Sequence, residues 1–137
     1  PGYGYAKAGK EEIARWNKLI EDYLRGRSNL RRVCLLIDAR RGIGAPDRKV
    51  MELLDKAAVV YQIILTKVDK EKAGALAKIQ ATAALEVGRH GAAYPDIMVT
   101  SSAKKTGLAE VRAACAALAE TTSAETTSAE TNVTEEQ

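Results

Sequence analysis

The sequence has no phenylalanine and one tryptophan among its 137 residues, although 46% of them are apolar. A core built from this composition must therefore be aliphatic and rich in alanine. No run of about 18 apolar residues occurs, which a membrane-spanning helix would need, and residues 1–10 contain no apolar segment of the signal-peptide type. We therefore expect one domain, in the cytoplasm and without a membrane partner.

Only two cysteines and one histidine are present. Cys34 falls in a predicted strand and Cys115 in a predicted helix, without the spacing of a metal site. We predict that both are small buried hydrophobic side chains in a reducing compartment. His90 has no second histidine or cysteine nearby, so a solvated loop residue is favoured over a ligand or a base.

Acidic residues are outnumbered in most of the chain. Residues 1–118 contain 21 Lys and Arg against 13 Asp and Glu, a formal charge of +8, whereas residues 119–137 contain five glutamates and no base. So basic a body fits contact with a polyanion such as RNA, and equally an ordinary basic surface. The tail repeats a Glu-Thr-Thr-Ser-Ala pentapeptide, so we predict that residues 119–137 are disordered.

The most informative segment is the apolar run at residues 59–65, which ends in Thr66-Lys67-Val68-Asp69. Its β-branched residues and lack of helical period predict a strand buried on both faces. Polar residues at the carboxyl end of such a strand lie where open α/β sheets bind ligands. A carboxylate there can accept two hydrogen bonds from guanine, from the ring N–H and the exocyclic amine. A solvated loop could carry the same tetrapeptide.

Two further apolar segments, residues 32–38 and 96–100, also end in polar side chains and are predicted strands. The spacing of apolar residues predicts four helices. The first covers about residues 10–25, the second begins after a cap at Asp47, the third covers about residues 71–87, and the fourth begins at Leu108.

This alternation of strands and helices predicts a parallel sheet with right-handed crossovers. The carboxyl ends of its strands meet at one edge, so Asp38, Asp69 and Ser102 are expected there. Asp69 and Ser102 follow consecutive strands and could share one ligand. Residues 33–37 are apolar on both faces, as in a central strand, and without further strands they would form a bare edge prone to aggregation.

Five segments, in chain order, resemble the EngB-type ribosome-biogenesis GTPases over about residues 1–118. They are Pro1-Gly2-Tyr3-Gly4-Tyr5-Ala6-Lys7; the Trp16 helix with Tyr23-Leu24-Arg25-Gly26-Arg27 and Leu30-Arg31-Arg32-Val33; Leu36-Ile37-Asp38-Ala39-Arg40-Arg41-Gly42; Leu65-Thr66-Lys67-Val68-Asp69-Lys70; and Ser101-Ser102-Ala103-Lys104. The resemblance implies part of a P-loop GTPase fold, an α/β three-layer fold. About three parallel strands would be present. The family's first three strands and its phosphate loop are absent, since no G-x-x-x-x-G-K-[S/T] occurs.

The resemblance implies a GTP-binding role for the whole Thr66-Lys67-Val68-Asp69 motif. Asp69 would hold the guanine edge, Lys67 would stack on the base with its ammonium in water, and Thr66 would brace the loop. Val68 lies within the motif and is included in the site.

The resemblance also places two other segments at the nucleotide. The backbone N–H near Ala103 would donate to the guanine keto oxygen, held by Ser101 and Ser102. Pro1 and Gly2 would belong to a switch loop in which the Gly2 N–H donates to the terminal phosphate.

The function implied by the resemblance is GTP binding and hydrolysis with Mg²⁺ in large ribosomal subunit assembly, linked to cell division and septation. The implied partners are GTP or GDP and the large subunit or its rRNA, with no DNA, and the complete protein would be monomeric. Tyr3 stands where many GTPases have a catalytic Gln, so no catalytic residue is assigned. No metal ligand is assigned either; Mg²⁺ ligands are expected upstream of Pro1. The alternative is a non-catalytic basic module that binds RNA or the ribosome. We expect the 137-residue chain alone to be inactive.

Overall fold

The computed structural model describes residues 30–132 and, before them, Ala14, Lys18, Asp22, Leu24, Gly26, Arg27 and Asn29. Its elements in chain order are β1 (Val33–Asp38), α1 (Ala45–Lys56), β2 (Tyr61–Thr66), a 3₁₀ turn (Val68–Lys70), α2 (Ala73–Val87), β3 (Met98–Val99) and α3 (Leu108–Asn132). The four described residues between 14 and 24 are helical, as predicted for residues 10–25. The rest of that range, and the candidate residues Pro1 and Gly2, lie outside the described residues.

The three strands form one parallel sheet in the order β1-β2-β3. The central strand β2 is buried from Tyr61 to Leu65 and half-buried at Thr66, which confirms the strand that its apolar run predicts. Such burial on both faces is what a parallel strand covered by crossover helices requires. Its neighbour β1 is in register with it from Val33 opposite Tyr61 to Asp38 opposite Thr66.

Strand β1 is an edge strand in the part of the chain that the structure describes. Leu35 and Ile37 are buried against the core, whereas Leu36, on the other face, is 58% exposed. Cys34 and Cys115 are both exposed, so the prediction of two buried cysteines is wrong. The reason is that Cys34 lies on the same open face of β1 as Leu36. On that face its thiol contacts that of Cys115, which belongs to α3.

Helix α1 buries Met51 and Leu54 against the sheet. Asp47 takes part in capping this helix, as predicted, but it does so from the third helical position, and the N-cap residue is Gly44. Pro46 lacks an N–H and suits the first turn, so the helix starts before Asp47. The Asp47 carboxylate accepts a hydrogen bond from the Gly44 N–H at 2.7 Å, which is one arm of a capping box.

The prediction of a solvated His90 is also wrong. Its side chain is 12% exposed, and Nδ1 lies 2.6 Å from Asp55 Oδ2. The other Asp55 oxygen accepts from the Ala92 N–H at 2.9 Å. Asp55 thus ties the segment after α2 to the last turns of α1.

Helix α3 continues to Asn132 through the pentapeptide repeat, where the sequence favoured disorder. The alanines and glutamates of the repeat are compatible with a helix, since both have high helix propensity. The domain boundary at residues 118 and 119 stays a prediction. Within the described residues, no helix combines the length and the apolar character that crossing a bilayer requires.

Candidate functional site

The carboxyl ends of the three strands meet at one edge of the sheet, as the alternating pattern predicts. Asp38 ends β1 and lies opposite Thr66, which ends β2. Thr100, just after β3, donates its N–H to the Leu65 carbonyl at 2.8 Å. The residues that follow each strand are therefore brought together at this edge.

The turn after β2 presents Lys67 and Asp69 in a fixed order. Lys67 has φ 58° and ψ 34°, the left-handed conformation, and it precedes the 3₁₀ turn Val68–Lys70. The Lys70 N–H closes that turn on the Lys67 carbonyl at 3.0 Å, and the Val68 N–H donates to the Thr100 carbonyl at 3.3 Å. The Thr66 hydroxyl donates to the Ile37 carbonyl at 3.3 Å, which braces the start of the turn against β1.

The carboxylate of Asp69 is held by Ser101. The Ser101 hydroxyl donates to Asp69 Oδ1 at 2.5 Å, and Ser101 itself is fully buried. This hydrogen bond, aided by the charges of Lys70 and Lys104, lowers the pKa of Asp69. Asp69 is therefore ionised at neutral pH and can accept further hydrogen bonds.

Ser101 also shapes the last loop of the site. Its hydroxyl accepts from the Lys104 N–H at 3.1 Å, and its backbone forms a two-bond bridge with Thr106 at 3.0 and 3.1 Å. Ser101, and not Ser102, contacts Asp69, and Ser102 is exposed. That Ser102 and Asp69 share one ligand stays a prediction. Ala103 is exposed beside Ser102, and its N–H has no hydrogen-bond partner among the described residues.

Asp38 takes part in the site more closely than the sequence indicates. Its Oδ2 accepts from the Lys67 ammonium at 3.0 Å. Arg40 donates Nη2–H to the same oxygen at 2.6 Å and Nε–H to Oδ1 at 3.0 Å. Hydrogen bonds from Arg40, and then from Lys67, hold the pKa of Asp38 far below its usual range. The two-residue spacing in Asp-Ala-Arg is the one signal in the sequence that could have indicated this pairing.

The described residues contain no cluster of metal-ligating side chains. Across the described residues, no three His, Cys, Asp or Glu side chains are grouped so that they could hold a metal ion. The carboxylates of Asp38 and Asp69 are instead engaged by cations and a hydroxyl, which suits them for orienting side chains and accepting hydrogen bonds.

The fold is that of GTPases, represented by three parallel strands with flanking helices. The apo form of translation elongation factor SelB from Methanococcus maripaludis superposes with a TM-score of 0.65 at 15% sequence identity. The superposition covers 86% of this chain and 24% of the SelB chain. The same factor in complex with the GTP analogue GppNHp matches 76% of this chain and 23% of its own with a TM-score of 0.63 and 15% identity. At this identity the likeness shows the fold alone.

Sequence relatives give a closer comparison. No protein-family model matches the chain. A probable GTP-binding protein EngB of Rhodospirillum rubrum is 55% identical over 119 residues, which are 87% of this chain and 52% of that protein. Its counterpart in Rhizobium johnstonii is 54% identical over 116 residues, 85% of this chain and 54% of that protein. The chain thus spans about half the length of these curated relatives. The resemblance to EngB-type GTP-binding proteins is confirmed, for a chain that corresponds to about half of such a protein.

Proposed function

We propose that this chain is the guanine-recognition part of a GTP-binding protein. The observation that carries the proposal is the ionised Asp69 carboxylate, fixed by the buried Ser101 hydroxyl at 2.5 Å, at the carboxyl edge of a parallel sheet. That edge is where open α/β sheets bind ligands. The names of the relatives, which are probable GTP-binding proteins, agree with it.

Guanine would lie between the turn after β2 and the loop after β3. Asp69 would accept the ring N–H and the exocyclic amine, since its oxygens retain lone pairs beyond the bond to Ser101. Lys67, whose side chain is 58% exposed, would cover one face of the base with its apolar stem while its ammonium stays beside Asp38. The Ala103 N–H would donate to the keto oxygen of the base.

The remaining candidate residues would support these contacts. Thr66 and Val68 fix the turn through the Ile37 and Thr100 carbonyls, and Ser102 lies in the exposed turn beside Ala103. Pro1 and Gly2 would contribute to phosphate sensing in a switch loop; this part of the proposal is based on the sequence resemblance.

GTP hydrolysis and its Mg²⁺ belong to the proposal for the whole protein. When bound, Mg²⁺ would stabilise the phosphate charge. Among the described residues no three His, Cys, Asp or Glu side chains are grouped to hold a metal ion, and the part that we propose for these residues is to bind and orient the base. No step of hydrolysis is assigned to them.

We also propose a role in large ribosomal subunit assembly, with links to cell division. It is supported by the +8 formal charge of residues 1–118, because a basic surface favours contact with rRNA phosphates. We propose that the protein acts in the cytoplasm as a monomer. A basic RNA-binding module without catalysis is the competing function, and its feature would be ribosome binding that does not depend on guanine nucleotides.

The test is nucleotide competition with the full-length protein. Asp69→Asn should weaken GTP binding and shift preference toward xanthosine triphosphate, because an amide donates where the carboxylate accepted and xanthine has a keto oxygen in place of the amine. Sites that pair such groups discriminate by about 10⁴-fold or more. Asp96→Asn, an exposed control just before β3, should change nothing. Unchanged guanine preference in Asp69→Asn would remove Asp69 from the site.

A further inference from the structure

Asp38 joins the loop after β1 to the turn that carries Lys67. Both of its carboxylate oxygens accept from Arg40, through the guanidinium at 2.6 and 3.0 Å and the backbone N–H at 3.1 Å. The Lys67 ammonium then binds Oδ2 at 3.0 Å. The carboxylate is therefore fixed on the Arg40 side before it meets Lys67, so it offers the ammonium a defined position.

The exposure of Lys67 indicates that its contact with Asp38 contributes more to ligand binding than to folding stability. The Asp38 side chain is 12% exposed, but that of Lys67 is 58% exposed. Ion pairs with a partner this exposed contribute little to stability. A free lysine, in contrast, has many rotamers that it must give up when a ligand lies along its stem, and fixing one rotamer beforehand removes that loss from the binding step.

The backbone conformation of Lys67 also favours a fixed position for its side chain. Its left-handed conformation is rare for a residue with a Cβ and persists where the surrounding structure imposes it. The register of the sheet places Asp38 opposite Thr66, the residue before Lys67. The carboxylate thus lies beside the turn and holds the Lys67 ammonium at 3.0 Å, two residues along the chain from Asp69.

Building on the proposed guanine site, we propose that Asp38 is a positioning residue for nucleotide binding: it anchors the Lys67 ammonium so that the Lys67 stem is already placed where the base stacks. Asp69 selects guanine, whereas Asp38 sets how firmly the stacked base is held. Arg40 acts one step further away, by fixing Asp38.

A double-mutant cycle on the full-length protein tests this role, with GDP as the probe and affinity as the readout. Asp38→Asn keeps the size of the side chain and removes its charge, and Lys67→Met keeps an apolar stem and removes the ammonium. Each single change should weaken GDP binding by about twofold to tenfold. The double variant should bind no more weakly than Lys67→Met alone, because Asp38 acts through the Lys67 ammonium.

Two further measurements separate positioning from a merely structural role. Glu86→Gln removes another surface ion pair, with Arg48 at 2.7 Å, and should leave GDP affinity unchanged. The preference for GDP over ADP should survive in Asp38→Asn, since Asp69 is intact. Wild-type affinity in Asp38→Asn, or losses that multiply in the double variant, would overturn the inference while leaving the guanine site standing. If instead Asp69→Asn kept its guanine preference, the proposed function itself would fail.

Discussion

Gly107 is the position where one added methyl group should most disturb the site. Its φ of 72° lies in the left-handed region, which costs a residue with a Cβ about 1–2 kcal/mol. A Cβ would also collide with the Val99 carbonyl and come within 3.3 Å of Thr100 Cα. Val99 pairs with Leu65 in the sheet, so it cannot move away without breaking that pairing.

The two effects together predict that Gly107→Ala lowers the free energy of unfolding by about 2–5 kcal/mol. The measurement is urea unfolding of the full-length protein, in which the midpoint falls while the slope stays constant. GDP affinity should fall as well, because Gly107 directly follows Thr106, whose backbone is bonded to Ser101. The Asp69 contact depends on that same serine.

Gly74→Ala is the matched control for this change. Gly74 lies in the first turn of α2, and nothing stands within 4 Å of an added Cβ. Alanine there should raise stability by roughly 0.5–1 kcal/mol, so the two glycine-to-alanine changes should have opposite signs. A Gly107→Ala protein with wild-type unfolding midpoint and GDP affinity would refute the account of this turn.

Two other substitutions and one assay of the unaltered chain have defined outcomes. Ser101→Ala should raise the pH below which GDP binding is lost. The Ser101 hydroxyl lowers the pKa of Asp69 from its ordinary 3.8, so in the wild type binding is lost only as the pH falls through that lowered pKa, and without the hydroxyl it is lost at a higher pH. An unchanged pH profile of GDP affinity would contradict this. Tyr61→Phe should keep or raise the urea midpoint, because the buried Tyr61 hydroxyl has no partner among the described residues. The 137-residue chain should release no phosphate from GTP and Mg²⁺, since phosphoryl transfer depends on positioning the phosphates; turnover abolished by Asp69→Ala would refute this.

The sheet and its binding edge could be predicted because their signals are local. An apolar run of β-branched residues predicts a doubly buried strand from sequence alone, and β2 is such a strand from Tyr61 to Leu65. The position of Asp69 follows, since parallel strands place their carboxyl ends at one edge. The helix over residues 73–87 could also be predicted because alanine favours helix regardless of its surroundings.

The contacts between segments could not be predicted, because they depend on register and side-chain phase. β3 has only two residues, too few for its sequence to indicate that Ser101, and not Ser102, would face Asp69. The bond between Lys67 and Asp38 requires the pairing of Asp38 with Thr66, which no local pattern contains. His90 meets Asp55 across 35 residues, so its environment is likewise hidden in the sequence.

Contacts of this kind, together with one local hydrogen bond, hold the side chains of the proposed base site. The groups proposed to meet the base are each held by a neighbour within the described residues: Asp69 by Ser101, Lys67 by Asp38, and the Ala103 turn by the bond from Lys104 to Ser101. In the proposed base site these side chains are therefore held by protein contacts alone. Preorganised contacts lose little entropy on binding, so we expect the proposed base site to hold the guanine of GTP and of GDP in the same way.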